Sequence, residues 1–247
     1  MTKQSVHEAV DEFFAEGLIS DVVATLQSGK EATAYLCRAN PGLGGEYAVA
    51  KVYHERDHRN FANDSDYEVG KRLLESHASR EARAVARRSS AGRAIQSSMW
   101  VDHEFDTMSA LHYAGVDVPE PFACTERALL MEYFGHGREA APQLTHVQLD
   151  RYEAEALLAR VLWNIETMLR EHVIHADLSP FNALYQDARL CIIDLPQCVD
   201  PRFHPQARGL LERDVRNMGT YFAKAGVRFD HETWTSELWT RFELGVL

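Results

Sequence analysis

The chain has 247 residues, 45% hydrophobic and 26% charged, enough for one large domain or two small lobes with a full core. A formal net charge of −11 argues against a surface that holds nucleic acid indiscriminately, although a local basic patch stays open. No apolar run approaches the roughly 18 residues of a membrane helix, and the polar, acidic start MTKQSVHEAVDEFF predicts neither a signal nor a transit peptide. Cys37, Cys124, Cys191 and Cys198 show neither CxxC nor zinc spacing and read as reduced thiols of a cytoplasmic protein.

Residues 5–17 read as a short amphipathic helix closed by Gly17. Strand signals follow at 21–27, 32–38 and 46–53, with a Pro-Gly-Leu-Gly-Gly turn at 41–45 before the last. The segment 46–53 alternates, so Tyr47, Val49, Lys51 and Tyr53 share one face. Residues 54–98 are charged and helical in parts, without a core pattern. A helix over 99–112 puts Val101, Glu104, Phe105, Met108 and Leu111 on one side. GVDVPEP breaks it, and strands FACT and ALLMEYF follow; GHGREAAP at 135–142 reads as a linker. The strongest helix covers 152–171, with Leu157, Leu158, Val161, Leu162, Ile165, Met168 and Leu169 on one stripe. Short strands at 183–185 and 189–193 precede a final long helix from Gln206 to Gly226. The predicted class is α+β: a strand-rich N-terminal lobe over 1–132, a helical C-terminal lobe over 133–247, and a cleft between them.

Several polar residues sit awkwardly in this pattern. Lys51 lies mid-strand among apolar neighbours, where it either snorkels to solvent or meets a buried anion. Glu104 lies inside an apolar helical stripe, and an unpartnered buried carboxylate costs several kcal/mol. Its cation is Lys51 or an arginine from 80–93. In HADLSPFN, Asp177 emerges from apolar surroundings, Asn182 follows five residues later, and Asp194 closes the run LCIID. Such a sparse oxygen set suits magnesium completed by phosphates and waters, with Asp177 placed to orient a hydroxyl and take its proton; a solvated turn is the plainer alternative. Asp214 falls in the apolar face of the last helix, where backbone N–H groups of the 175–182 loop would satisfy it, unless a bend exposes it. The turn Ser28-Gly29-Lys30-Glu31-Ala32 would let backbone N–H groups approach phosphates, or is a plain hairpin. The arginines at 80, 83, 87, 88 and 93 read as a solvated face or a contact for RNA or an acidic partner.

Together these motifs resemble the protein-kinase superfamily and, within it, the RIO-type atypical serine/threonine kinases in a minimal, RIO1-like form. HADLSPFN is similar to the catalytic loop H-x-D-x-x-x-x-N, MEYF to a gatekeeper and hinge, and RDVRNMG to the stretch whose Asp braces the catalytic loop. SGKEATAYL in place of a Gly-rich loop, AVAKVY, W-x-x-x-E-F at 100–105 and IIDLPQCVD in place of D-F-G are RIO-like. There is no G-x-G-x-x-G and no A-P-E, and Ala176 stands where most kinases carry arginine. The resemblance implies a two-lobed kinase fold with the nucleotide cleft between the lobes, and the cofactors ATP and Mg2+. It implies residues 28–32 and Lys51 on the phosphates, Glu104 holding Lys51, Met131, Glu132 and Phe134 at the adenine, Asn182 and Asp194 on magnesium, and Asp177 as base. It further implies autophosphorylation and an ATPase switch, with Asp194 receiving phosphate in some members; the protein acceptor stays unknown. No membrane partner is expected, and a ribosomal or RNA partner has no support in the motifs. Two rivals stand beside this reading: a small-molecule phosphotransferase of the aminoglycoside or choline kinase type, and a non-enzymatic nucleotide sensor.

Overall fold

The computed structural model describes residues 3–54 and 90–247. Contacts divide the chain into two compact units, Met1–Phe105 with Pro121–Tyr133, and Asp106–Glu120 with Phe134–Leu247.

The first unit opens with helix α1 (Lys3–Ala15) and carries strands β1 (Ile19–Ser28), β2 (Ala32–Ala39), β3 (Tyr47–Tyr53), β4 (Pro121–Cys124) and β5 (Ala128–Glu132). They form an antiparallel sheet in the order β1-β2-β3-β5-β4. Ala48, Ala50 and Val52 of β3 join Ala9, Val10 and Phe13 of α1 in one apolar cluster. The two alanines leave room for the helix, and Phe13, 1% exposed, contributes about 1.5–3 kcal/mol by its burial. Tyr47, Val49, Lys51 and Tyr53 take the opposite face of β3. That face is also largely buried, so the alternation separates two interiors rather than an interior from solvent. Edge strand β1 carries three register shifts, which interrupt its pairing with β2. Between β2 and β3 the Asn40 side chain accepts the Gly42 amide at 2.9 Å, and the turn ends at Gly44 with φ +78°, a backbone suited to glycine.

Helix α2 (Ser90–Tyr113) begins nine residues earlier than the sequence pattern indicates; the rest of the predicted charged segment lies outside the described residues. Val101, Glu104, Met108 and Leu111 are buried as the stripe predicts, and Phe105 is half-buried.

The second unit holds strands β6 (Gly135–His136) and β7 (Glu139–Ala140), helix α3 (Arg151–Arg170), strands β8 (Ala183–Gln186) and β9 (Arg189–Ile192), and helices α4 (Ala207–Ala223) and α5 (His231–Glu243). Asp150 caps α3 through the Glu153 amide at 2.8 Å. The β8–β9 turn places Asp187 and Ala188 at φ +52° and +59°, the two left-handed residues of a hairpin turn whose twist matches its strands. Gly219 of α4 lies against Phe229, where an added Cβ would come within 3.1 Å of the ring.

Two further predicted features differ from the structure. The 135–142 linker is a hairpin of two-residue strands, too short to show any period. Helix α4 ends at Ala223 and is not the last: α5 follows, capped by Asp230, which accepts the Thr233 amide at 3.1 Å and its hydroxyl at 2.8 Å. Among the described residues no helix is long and apolar enough to cross a membrane.

Candidate active site

In the first unit, β3 presents Lys51 and Tyr53, two residues apart, on the same face. Glu104 reaches them from the buried side of α2 and is 1% exposed. Lys51 Nζ donates to Glu104 Oε1 at 2.8 Å, and the Tyr53 hydroxyl donates to Oε2. The ammonium also lies 5.4 Å from the centre of the Tyr53 ring. Both carboxylate oxygens are therefore engaged. The arginines at 80, 83, 87 and 88, offered as alternative partners for Glu104, lie outside the described residues.

The turn at 28–32 closes through Gly29 N–H to Ala32 C=O at 2.9 Å. Ser28, Thr33 and His54 stitch it from behind, with Ser28 Oγ 2.9 Å from Thr33 Oγ1 and that oxygen 2.8 Å from His54 Nε2. His54 Nδ1 lies 3.3 Å from the Lys30 carbonyl, which only accepts, so this nitrogen carries a proton. The His54 amide donates to the Glu31 carbonyl at 2.8 Å. Ser28, Gly29 and Lys30 stay exposed, while Glu31 and Ala32 are half-buried. Thr33 and His54 are absent from the predicted set.

Met131 and Glu132 occupy the end of β5 opposite Val49 and Ala48 and are half-buried. Phe134 belongs to the second unit, and its ring lies 5.2 Å from the Arg189 guanidinium. Its carbonyl already accepts the Ala141 amide at 3.0 Å, which ties the predicted hinge residue to the β6–β7 hairpin.

The second unit builds the 173–182 loop on α4. Asp214 lies 2% exposed on that helix and accepts two amides, Ala176 N at 2.8 Å and Leu178 N at 3.0 Å. Arg213 donates to the Ala176 carbonyl, and Asn217 Nδ2 to the Leu178 carbonyl at 3.1 Å. Asn217 stands three residues after Asp214 on the same helical face, a spacing that would have flagged it. The clamp holds Ala176 at φ +62°, a conformation L-residues resist. Burial pushes the Asp214 carboxyl up to about 7, while its bonds to the Ala176 and Leu178 amides and the nearby Arg213 charge act to lower it.

His175 completes the frame. Its Nε2 lies 3.1 Å from the Ile193 carbonyl, so Nε2 donates. Its Nδ1 accepts the Asp177 amide at 3.3 Å, which requires the neutral ring. Burial lowers the His175 pKa, in agreement with that tautomer. Asp177 itself is exposed. Asn182 Nδ2 donates to the Asp177 carbonyl at 3.0 Å and approaches its Oδ2 at 3.3 Å, and the Asn182 carbonyl accepts the Ile193 amide at 3.0 Å. Asp194 follows, exposed, at φ +69°.

These residues fit a magnesium ion. The Asn182 amide nitrogen is committed to Asp177, so Oδ1 is the atom that can face a cation. Among the described residues no group of three or more His, Cys, Asp or Glu side chains could hold a metal. Magnesium needs no such cage, because it keeps its waters and takes one or two protein oxygens besides phosphate. Predicted site residues thus fall into two sets, Ser28–Ala32, Lys51, Glu104, Met131 and Glu132 in the first unit, and Phe134, Asp177, Asn182 and Asp194 in the second.

Residues 45–234 match the RIO domain family. The chain is 36% identical over 132 residues to a RIO-type serine/threonine-protein kinase Rio1 of Thermoplasma acidophilum, covering 53% of this chain and 68% of that one. It is 29% identical over 220 residues to a serine/threonine-protein kinase RIO1 of Chaetomium thermophilum, covering 85% of this chain but 41% of the fungal protein. Its fold is similar to the crystal structure of the Rio2 kinase–ADP/Mg2+–phosphoaspartate complex from Chaetomium thermophilum, with a TM-score of 0.66 and 21% identity over 96% of this chain and 67% of that one.

Proposed function

The chain belongs to the RIO domain family, whose matched relatives are named serine/threonine kinases, and from that premise we propose that it transfers the γ-phosphoryl group of ATP to a hydroxyl with Asp177 as base. The observation that carries the reading is the fixed amide of Asn182, which turns its oxygen away from Asp177 on a loop clamped by Asp214. Asn182 and Asp194 would hold magnesium, and the ion would neutralise charge on the phosphates. Lys51, steadied by Glu104, grips the α- and β-phosphates, and backbone groups of Glu132 and the Phe134 amide meet the adenine. Asp177, exposed on its loop, accepts the proton of the attacking hydroxyl as the new P–O bond forms and ADP leaves.

The related Rio2 structure contains a phosphoaspartate. The exposed Asp194 is the residue of this chain that would carry it, and its hydrolysis would make the protein an ATPase switch that autophosphorylates. Incubation with γ-labelled ATP, a protein acceptor and small-molecule acceptors tests these readings together. Label should reach protein, and Asp177→Asn should lower turnover by about two to four orders of magnitude. Label reaching only a small metabolite would favour the phosphotransferase alternative, and turnover unchanged in Asp177→Asn would overturn the assignment of the base.

A further inference from the structure

Residues 115–121, GVDVPEP, read in the sequence only as a helix breaker. In the structure Asp117, within that stretch, joins α3 to β9, and each of its polar groups is engaged. Its amide donates to Asn164 Oδ1 at 2.8 Å, and its carboxylate accepts Asn164 Nδ2 at 2.8 Å. Arg160 closes on the same carboxylate with two bonds, Nε at 2.6 Å and Nη2 at 2.7 Å. The Asp117 carbonyl accepts the Ile192 amide at 2.6 Å. The Arg160 guanidinium also rests 4.1 Å over the Trp163 ring, so the fork is held on a second side.

Asn164 is the unexpected member. It is 0% exposed, between Val161 and Ile165 on the buried face of α3. A leucine there would serve packing alone, whereas a buried amide is costly unless hydrogen-bonded. Its bonds go to both ends of the Asp117 residue and to the Arg160 carbonyl at 3.0 Å. Its burial is thus compensated chiefly by fixing Asp117.

What Asp117 fixes in turn is an edge. Strand β9 belongs to a two-stranded hairpin, a construction marginal by itself. On one side it pairs with β8, and the Ile193 amide continues that side to the Asn182 carbonyl. The opposite edge is taken at Ile192 by the Asp117 carbonyl. Asp194 lies two residues farther on. We infer that Asn164 and Asp117 are positioning residues that set the magnesium-binding carboxylate of Asp194 by holding β9 from its outer edge. This rests on the reading of Asp194 as a magnesium ligand.

Three variants decide it: Asn164→Ala, Arg160→Ala and, as a stability control in another helix, Asp230→Ala. In Asn164→Ala the magnesium concentration for half-maximal ADP binding, read by calorimetry, should rise about tenfold, a typical effect of losing support behind a metal ligand. ADP affinity in EDTA should stay at the wild-type value. Hydrogen exchange at the Ile192 amide should accelerate about tenfold or more as the edge opens locally. Arg160→Ala leaves Asn164 in place and should shift both readouts the same way by less; it decides the matter if Asn164→Ala does not fold. Asp230→Ala should lower the melting temperature and move neither. If Asn164→Ala loses thermal stability as Asp230→Ala does while the magnesium midpoint and Ile192 exchange hold, Asn164 serves packing and the inference fails. Absence of magnesium-dependent ADP binding in the wild type would instead overturn the reading of Asp194, and this inference with it.

Discussion

Three side chains hold one another in the first unit: Lys51 and Tyr53 reach from a strand, Glu104 answers from a helix, and every bond is side chain to side chain. In the second unit the 175–182 loop is held mostly through its main chain. Asp214, Arg213 and Asn217 of α4 bond to amides and carbonyls of Ala176 and Leu178, and His175 and Asn182 tie the loop to Ile193. The first construction places charge and depends on the identity of each member. The second places backbone, and depends on the helix behind the loop more than on the loop's own side chains.

The largest test of this contrast is Glu104→Ala. It leaves Lys51 and the Tyr53 hydroxyl facing a cavity without their carboxylate, and breaking a buried pair of this kind costs about 3–5 kcal/mol. Urea unfolding should register that loss in the first unit. The double variant Lys51→Met with Glu104→Leu should recover most of it, because an apolar pair of similar volume carries no desolvation cost. It should not recover nucleotide binding. A double variant as unstable as Glu104→Ala would show that the cluster is held by shape rather than charge.

Smaller, and specific to the second unit, is the effect of pH through Asp214. Its folded pKa, about 7, lies above the unfolded carboxylate value of about 3.9. Between those values the folded state holds the extra proton, so unfolding releases it and the free energy of unfolding falls as pH rises. The contribution is complete below pH about 4 and lost as pH passes 7, a change of a few kcal/mol. Yet the ionised form accepts the two loop amides best, so the 175–182 loop is best braced at the pH where this group stabilises the fold least. Asp214→Asn should flatten the dependence of the urea midpoint between pH 5 and 8, at a cost of about 1–3 kcal/mol for an amide left without its acceptor. An equally steep profile in the variant would assign the pH dependence to other groups.

The same contrast explains what the sequence made legible. Lys51, Glu104 and Asp214 stood out because each is a charge set among apolar neighbours at the local period, and only a partner excuses such a residue. Tyr53 shares Lys51's face, but a tyrosine in a strand reads as core, and its hydroxyl carries no local signal. Asn164 is a short polar side chain between apolar helix positions, and its partner Asp117 lies 47 residues away in a turn, a pairing no local pattern carries. The fold class followed from periods two and 3.6. The β6–β7 hairpin escaped because two-residue strands have no period, and α5 because a helix already long enough to end the chain preceded it. Its cap at Asp230 and the four-residue spacing of Trp234, Leu238 and Phe242 were there to be read.

The smallest effect is expected at Ala176, and it sharpens the comparison most. Its φ of +62° costs an L-residue about 1–2 kcal/mol, which glycine would not incur. Glycine brings a loss of its own, about 0.4–1 kcal/mol from the greater freedom of the unfolded chain. Removing the buried methyl takes away about 0.8 kcal/mol more. These nearly cancel, so Ala176→Gly should unfold within about 0.5 kcal/mol of the wild type in urea, with Asp214, Arg213 and Asn217 still gripping the same backbone. A loop held by its main chain predicts this near silence at a buried side chain of its own, whereas a loss of about 2 kcal/mol or more would mean that the methyl, rather than the clamp from α4, keeps the turn in place.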